Sequence, residues 1–194
     1  MVGGKPLAGF GRTGKWFATD HIDASPDIYC LSKGLTAGFM ALGITTCQSF
    51  IYEAFLSDDR MKTFFHGHSF TANAVACSAA CASIDLFERP STWEAIERIK
   101  TQHLAMARRM EGHKAVREIR CLGTILAFDF EAGGGTGYFN AIRDEAYTYF
   151  LERGILLRPL GNTIYTVPPY CITDEELQSV YDAISSFADR MIAG

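Results

Sequence analysis

Hydrophobic positions recur with two different periods along this chain, and the changes of period mark its elements. Residues 28 to 52 read as two short apolar strands around a turn at Lys33, and Thr71 to Glu88 has the alanine- and leucine-rich content of a packed helix. Pro90 stands where a new helix can begin. From Ser91 to Glu111, Trp93, Ile96, Ile99, Leu104 and Met110 recur at helical spacing with charges between, which predicts a long amphipathic helix ending at Gly112. Val116 to Arg120 and Gly123 to Phe130 read as strands, the second with Leu126, Phe128 and Phe130 alternating against smaller or polar residues. The cluster Gly133 to Gly137 reads as a loop and residues 140 to 153 as a helix stopped by Gly154. Ile155 to Leu157 reads as a strand that turns at Arg158-Pro159-Leu160-Gly161. Thr173-Asp174-Glu175-Glu176 has the form of a capping box ahead of Leu177, Val180, Ile184 and Phe187 on one helical face.

This alternation predicts an α/β protein in three parts: a first domain over 1–88, a connecting helix over 89–112 and a small α/β domain over 113–194. No internal repeat is visible. With 194 residues, 48% of them hydrophobic, the chain is able to bury a real core. The net charge of −4 is spread along it without a basic face, so neither nucleic acid nor a membrane surface is expected as a partner. Met1 to Lys5 lack the apolar core of a signal peptide and no apolar run is long enough to span a bilayer, so a cytoplasmic location is expected. The six cysteines sit in apolar surroundings and read as buried free thiols. Cys77 and Cys81 have a helical metal-pair spacing, but alanine and serine lie between them and no second ligand pair is near.

Lys33 carries the sharpest chemical signal. It closes an apolar run and is followed at once by Gly34, a break that puts a lysine at the end of a strand. Burial there would disfavour the ammonium form and free an amine able to form a Schiff base with an aldehyde, although a strand-end lysine is also an ordinary solvated residue. Gly9-Phe10-Gly11-Arg12-Thr13-Gly14-Lys15 fits the opening of a nucleotide-binding P-loop. Trp16 stands where that motif needs Ser or Thr, however, and no apolar strand precedes it. The His66-Gly67-His68-Ser69 turn offers a hydroxyl and backbone N–H groups that suit a phosphate, or alternatively a His-x-His metal pair for which no third ligand is apparent.

Taken together, the glycine turn at 9–15, Ser-Pro-Asp-Ile at 25–28 and Ser-Lys-Gly-Leu-Thr-Ala-Gly at 32–38 resemble the segment around the cofactor lysine of the class III pyridoxal-phosphate aminotransferases. His66 to Asn73 and Arg158 to Tyr170 extend the resemblance to the C-terminus, with most likeness to the biotin-pathway branch. It implies the C-terminal part of a fold-type I transferase, namely the end of the large-domain sheet plus a small domain. It also implies pyridoxal 5'-phosphate as cofactor and amino transfer from S-adenosylmethionine, or in some relatives lysine, to 8-amino-7-oxononanoate.

On the same resemblance Lys33 is the catalytic lysine, and Lys33, Ser69 and His68 bind the cofactor, Ser69 reaching the phosphate of a partner subunit. Arg158, Gly67 and Tyr165 bind substrate, the Arg158 guanidinium forking onto the distant carboxylate. Each has a plainer alternative: a turn arginine, a strand tyrosine, and for the nearby Asn73 a helix start. A homodimer follows from a shared site. The chain departs from the family where an Asp-Glu pair normally contacts the pyridine nitrogen, because Gly4 and Lys5 stand there. The family's long N-terminal portion has no counterpart in the sequence either. The chain is therefore expected to be the C-terminal half of such an enzyme, a piece of a longer frame or one member of a split pair, and inactive alone. Two other readings stay open: a class III enzyme acting on ornithine or 4-aminobutyrate, and a non-catalytic association module.

Overall fold

The computed structural model describes residues 2–4, 9–22, 25–131 and 142–193. The glycine cluster 133–137 lies outside them. The chain forms two compact units, 1–93 and 94–194.

In the first unit, strands β1 (Val2–Gly4), β2 (Ile28–Leu31) and β3 (Ile44–Cys47) form a sheet in that order, β1 parallel and β3 antiparallel to β2. Two helices follow, the short α1 (Ser49–Glu53) and α2 (Ala74–Phe87). Of the two strands expected around Lys33, the first ends two residues before it, at Leu31. The second starts eleven residues after Lys33, at Ile44, and the end of the interval 28–52 is helical. Asn73 takes the helix-start role, its Oδ1 accepting from Ala76 N at 3.0 Å. Ring contacts knit this unit together: Phe10, Trp16 and Trp93 all meet Phe87, with centroids 6.0, 4.6 and 5.0 Å away.

The chain crosses from one unit to the other inside α3 (Pro90–Met110). Its buried residues are Ile96, Ile99, His103, Met106 and Met110, alternating three and four apart, as a helix packed along one stripe requires. Leu104, expected on that face, is 40% exposed, and His103 is buried in its place.

In the second unit β4 (Val116–Leu122), β5 (Ile125–Phe130) and β6 (Thr163–Thr166) form an antiparallel sheet in sequence order. Helices α4 (Ile142–Leu151) and α5 (Asp174–Ala193) complete it. The alternation along β5 sends Leu126, Phe128 and Phe130 into a core shared with Phe150, Ile164, Leu177, Ile184 and Phe187, all fully buried. On the other face Arg120 forks onto Asp129 at 2.6 and 2.8 Å and reaches Glu118 at 2.7 Å. The Asp129 carboxyl is held below its usual range, chiefly by that guanidinium. Thr173 and Glu176 close the expected capping box ahead of α5: Glu176 N donates to Thr173 Oγ1 and Thr173 N to Glu176 Oε2.

Ile155 to Leu157 is not a strand. Gly154, at φ 72°, ends α4 in the left-handed conformation and Ile155 N donates back to Phe150 O, so the residues after the helix are spent on closing it and pair with no strand among the described residues. The paired segment comes after the turn at Gly161, in β6. The cysteines also differ from expectation: all six are free, but Cys47, Cys81 and Cys171 are exposed and the other three half-buried.

Candidate functional site

Strand β2 ends at Leu31, and Lys33 opens a 3-10 turn over Lys33–Thr36 with its backbone at φ 50°. A left-handed conformation costs a residue with a Cβ roughly 1–2 kcal/mol, so this turn is held in place by its surroundings. Leu35 and Thr36 anchor it, both buried, and Thr36 Oγ1 donates to Met40 O at 2.6 Å. Lys33 itself is exposed rather than buried, because only the residues after it point inward. Its amine makes no hydrogen bond or ion pair among the described residues, which leaves it available for chemistry.

The glycine segment at 9–15 is a turn closed by Gly14 N to Gly11 O at 2.9 Å and bridged at its ends, Gly9 against Phe17. A P-loop would lead from a strand into an α-helix, whereas this turn leads into a 3-10 turn over Ala18–His21, and Lys15 Nζ donates to Asp20 O at 2.7 Å. The Thr13 hydroxyl is buried there without a hydrogen-bond partner among the described residues.

Gly67, His68 and Ser69 lie exposed in the turns before α2. His68 is tied down locally: Nδ1 accepts from Phe70 N at 3.2 Å and its own N–H donates to Thr71 Oγ1 at 3.1 Å. The Ser69 hydroxyl has no partner among the described residues. No group of three His, Cys, Asp or Glu that could hold a metal occurs among the described residues.

In the second unit Arg158 and Tyr165 are brought together, both lining a groove of about 640 Å³. Its walls include Leu157, Val167, Pro168 and Val180, so an aliphatic chain is suited to it. Arg158 is exposed and unpaired among the described residues, with all its donors open to an anion. The expected site residues thus fall in both units: Lys33, Gly67, His68 and Ser69 in the first, Arg158 and Tyr165 in the second.

Sequence reasoning missed a buried polar network in the second unit. His103 Nε2 lies 3.2 Å from Thr124 O and its Nδ1 2.6 Å from the Tyr181 hydroxyl. A carbonyl only accepts, so Nε2 carries the proton and Nδ1 accepts from Tyr181. Burial holds His103 down to about 4 and pushes the Tyr181 hydroxyl up. The only signal in the sequence was a histidine on the buried stripe of an amphipathic helix.

The family model described as aminotransferase class-III matches residues 7–187. The adenosylmethionine-8-amino-7-oxononanoate aminotransferase of Synechococcus elongatus is 40% identical over 191 residues, 98% of this chain and 44% of that one. The crystal structure of the Methanocaldococcus jannaschii protein of the same name superposes with a TM-score of 0.81 at 33% identity, over 94% of this chain and 44% of that one. A solved transaminase with L-ala superposes with a TM-score of 0.89 over 99% of this chain and 46% of that one; at 22% identity it speaks for the fold alone. The chain spans less than half the length of these curated relatives.

Proposed function

Because this chain belongs to the class III aminotransferases, we propose that it supplies the lysine-bearing part of a biotin-pathway transaminase. The reaction is transfer of an amino group, from S-adenosylmethionine, to 8-amino-7-oxononanoate to give 7,8-diaminononanoate. The observation that carries this reading is Lys33: an exposed amine, unpaired among the described residues, on a conformationally fixed turn, in a chain whose relatives bear that enzyme's name.

The donor chemistry fits pyridoxal phosphate. An open primary amine suits an aldehyde, and an open hydroxyl at Ser69 beside backbone N–H groups suits a phosphate. When bound, the cofactor supplies an aldehyde and a ring that withdraws electrons from the reacting carbon. Lys33 would hold it through its amine and would move the proton at the reacting carbon. Ser69 would donate to the cofactor phosphate of a partner subunit, His68 shapes the turn that presents Ser69, and Gly67 leaves room beside it for substrate. Arg158 forks onto the far carboxylate of the amino-oxo acid, whose aliphatic chain lies along the groove with Tyr165 on its wall.

Association completes the enzyme. Phe39, Met61, Phe64, Phe65 and Phe70 are 77, 81, 65, 79 and 74% exposed, far more apolar surface than a monomer keeps in one stretch of chain. We assign this surface to a homodimer or to contact with the rest of an aminotransferase fold. No helix among the described residues is long and apolar enough to cross a membrane. The six free thiols suit a reducing compartment, the cytoplasm.

Amine transfer measured with both substrates tests the function. The chain by itself is expected to turn over little or no substrate, and activity should appear when the remaining portion of the Synechococcus relative is supplied. Lys33→Ala should abolish that restored activity, and a Lys33→Ala protein that still produced 7,8-diaminononanoate would sink the proposal.

A further inference from the structure

The glycine turn at 9–15 takes no part in the chemistry above, yet it touches the segment that carries Lys33. A Cβ built on Gly34 would stand 2.8 Å from Phe10 Cδ2 and 3.3 Å from Phe10 Cγ, so the Phe10 side chain lies directly against the bare backbone of residue 34. Gly34 itself is not in the left-handed region. It is glycine for want of space, not for backbone freedom. The Ser83 hydroxyl of α2 donates to Gly34 O at 3.4 Å and adds a second hold on the same residue. The Phe10 ring is itself held edge-on by Phe17 and Phe87, with centroids 5.9 and 6.0 Å away.

Two residues with side chains adopt the left-handed conformation beside this contact, Phe10 at φ 56° and Lys33 at φ 50°. Such a backbone persists only where its surroundings dictate it, and here the residue carrying the reactive amine is bonded to the one the ring covers.

We propose that Phe10 is a positioning residue: pressed onto Gly34, its ring fixes the left-handed turn at Lys33 and so sets the direction in which the Lys33 amine leaves the backbone. This rests on the aldehyde-capturing role assigned to Lys33. Phe10 acts through Gly34.

The test uses the full chain with pyridoxal phosphate as probe. The Lys33 amine condenses with the aldehyde, releasing one water, and borohydride delivers hydride to the resulting C=N bond, leaving a stable secondary amine. The modified residue is mapped by mass spectrometry, and the trapping rate is followed over a pH series. Phe10→Ala and Gly34→Ala should each slow trapping at Lys33 by about tenfold and shift its pH midpoint, and the double variant should be no slower than the slower single one, since both break one contact. Phe10→Leu, which keeps an apolar side chain on the turn and so a folded protein, should slow it by about threefold. Phe17→Leu removes a ring from the same cluster without touching Gly34; it should lower the unfolding temperature and leave the trapping rate and its pH profile unchanged. Unsubstituted rates in both Phe10 variants, or slowing by Phe17→Leu equal to that of Phe10→Ala, overturn the clamp alone. Failure of the unsubstituted chain to trap at Lys33 overturns the clamp and the role of Lys33 together.

Discussion

His103 shows how one buried side chain ties stability to pH. Folded, it stays neutral down to about pH 4, whereas the unfolded chain takes up a proton near the ordinary 6.5. Between those values the unfolded state binds more protons, so stability falls as pH drops through that window and is fully present above it. The loss is on the order of 3 kcal/mol. Urea unfolding at pH 7 and pH 4.5 should show it, and His103→Gln should flatten the dependence; an unchanged slope in that variant would remove His103 as its source. Lys33 was legible as a candidate because its neighbours form a contiguous motif. Its exposure was not, since that follows from where β2 ends and which later residues turn inward. His103 was invisible because its partners, Thr124 and Tyr181, lie 21 and 78 positions away.

Elements held by local contacts were legible and those held by distant partners were not. The box at Thr173 to Glu176 lies within four consecutive residues, so the start of α5 could be read directly. Thr173→Ala should cost about 1 kcal/mol in thermal or urea unfolding, and no measurable loss would show that α5 does not depend on this cap. Asp174, the next residue, is engaged by Gln102 and Arg98 of α3, an additional tie that no local pattern announces. Ile155 to Leu157 carries strand-like residues but pairs with no strand among the described residues, since a strand exists only where another offers its backbone. That decision was made elsewhere, by the hairpin of β4 and β5 and the turn at Gly161. In the candidate site the same division holds: the motif at Lys33 could be read, whereas the groove that joins Arg158 to Tyr165 depends on β6 and α5 packing together.

At the scale of the molecule, the exposed aromatic residues between Phe39 and Phe70 set the solution behaviour. Burial of such side chains is worth about 25 cal/mol per Å², enough to drive association when several are covered together. The purified chain should self-associate in light scattering as its concentration rises, and Phe64→Ser combined with Phe65→Ser should reduce this without lowering the unfolding temperature. Equal scattering from both proteins would place the contact elsewhere. The α/β class was readable from hydrophobic period and turn residues; the density of uncovered aromatics was not, because a sequence does not show which apolar residues lack a neighbour.

The passage from one unit to the other inside α3 has a practical corollary for protein engineering. A chimera spliced at residues 93 and 94 would join two half-helices from different parents, and any mismatch would rotate the stripe that carries Ile99, His103 and Met106 by about 100° per residue. Module exchange with a relative should instead use Gly112 as the seam, at φ 76° and just past the last helical turn, so that each graft receives α3 whole.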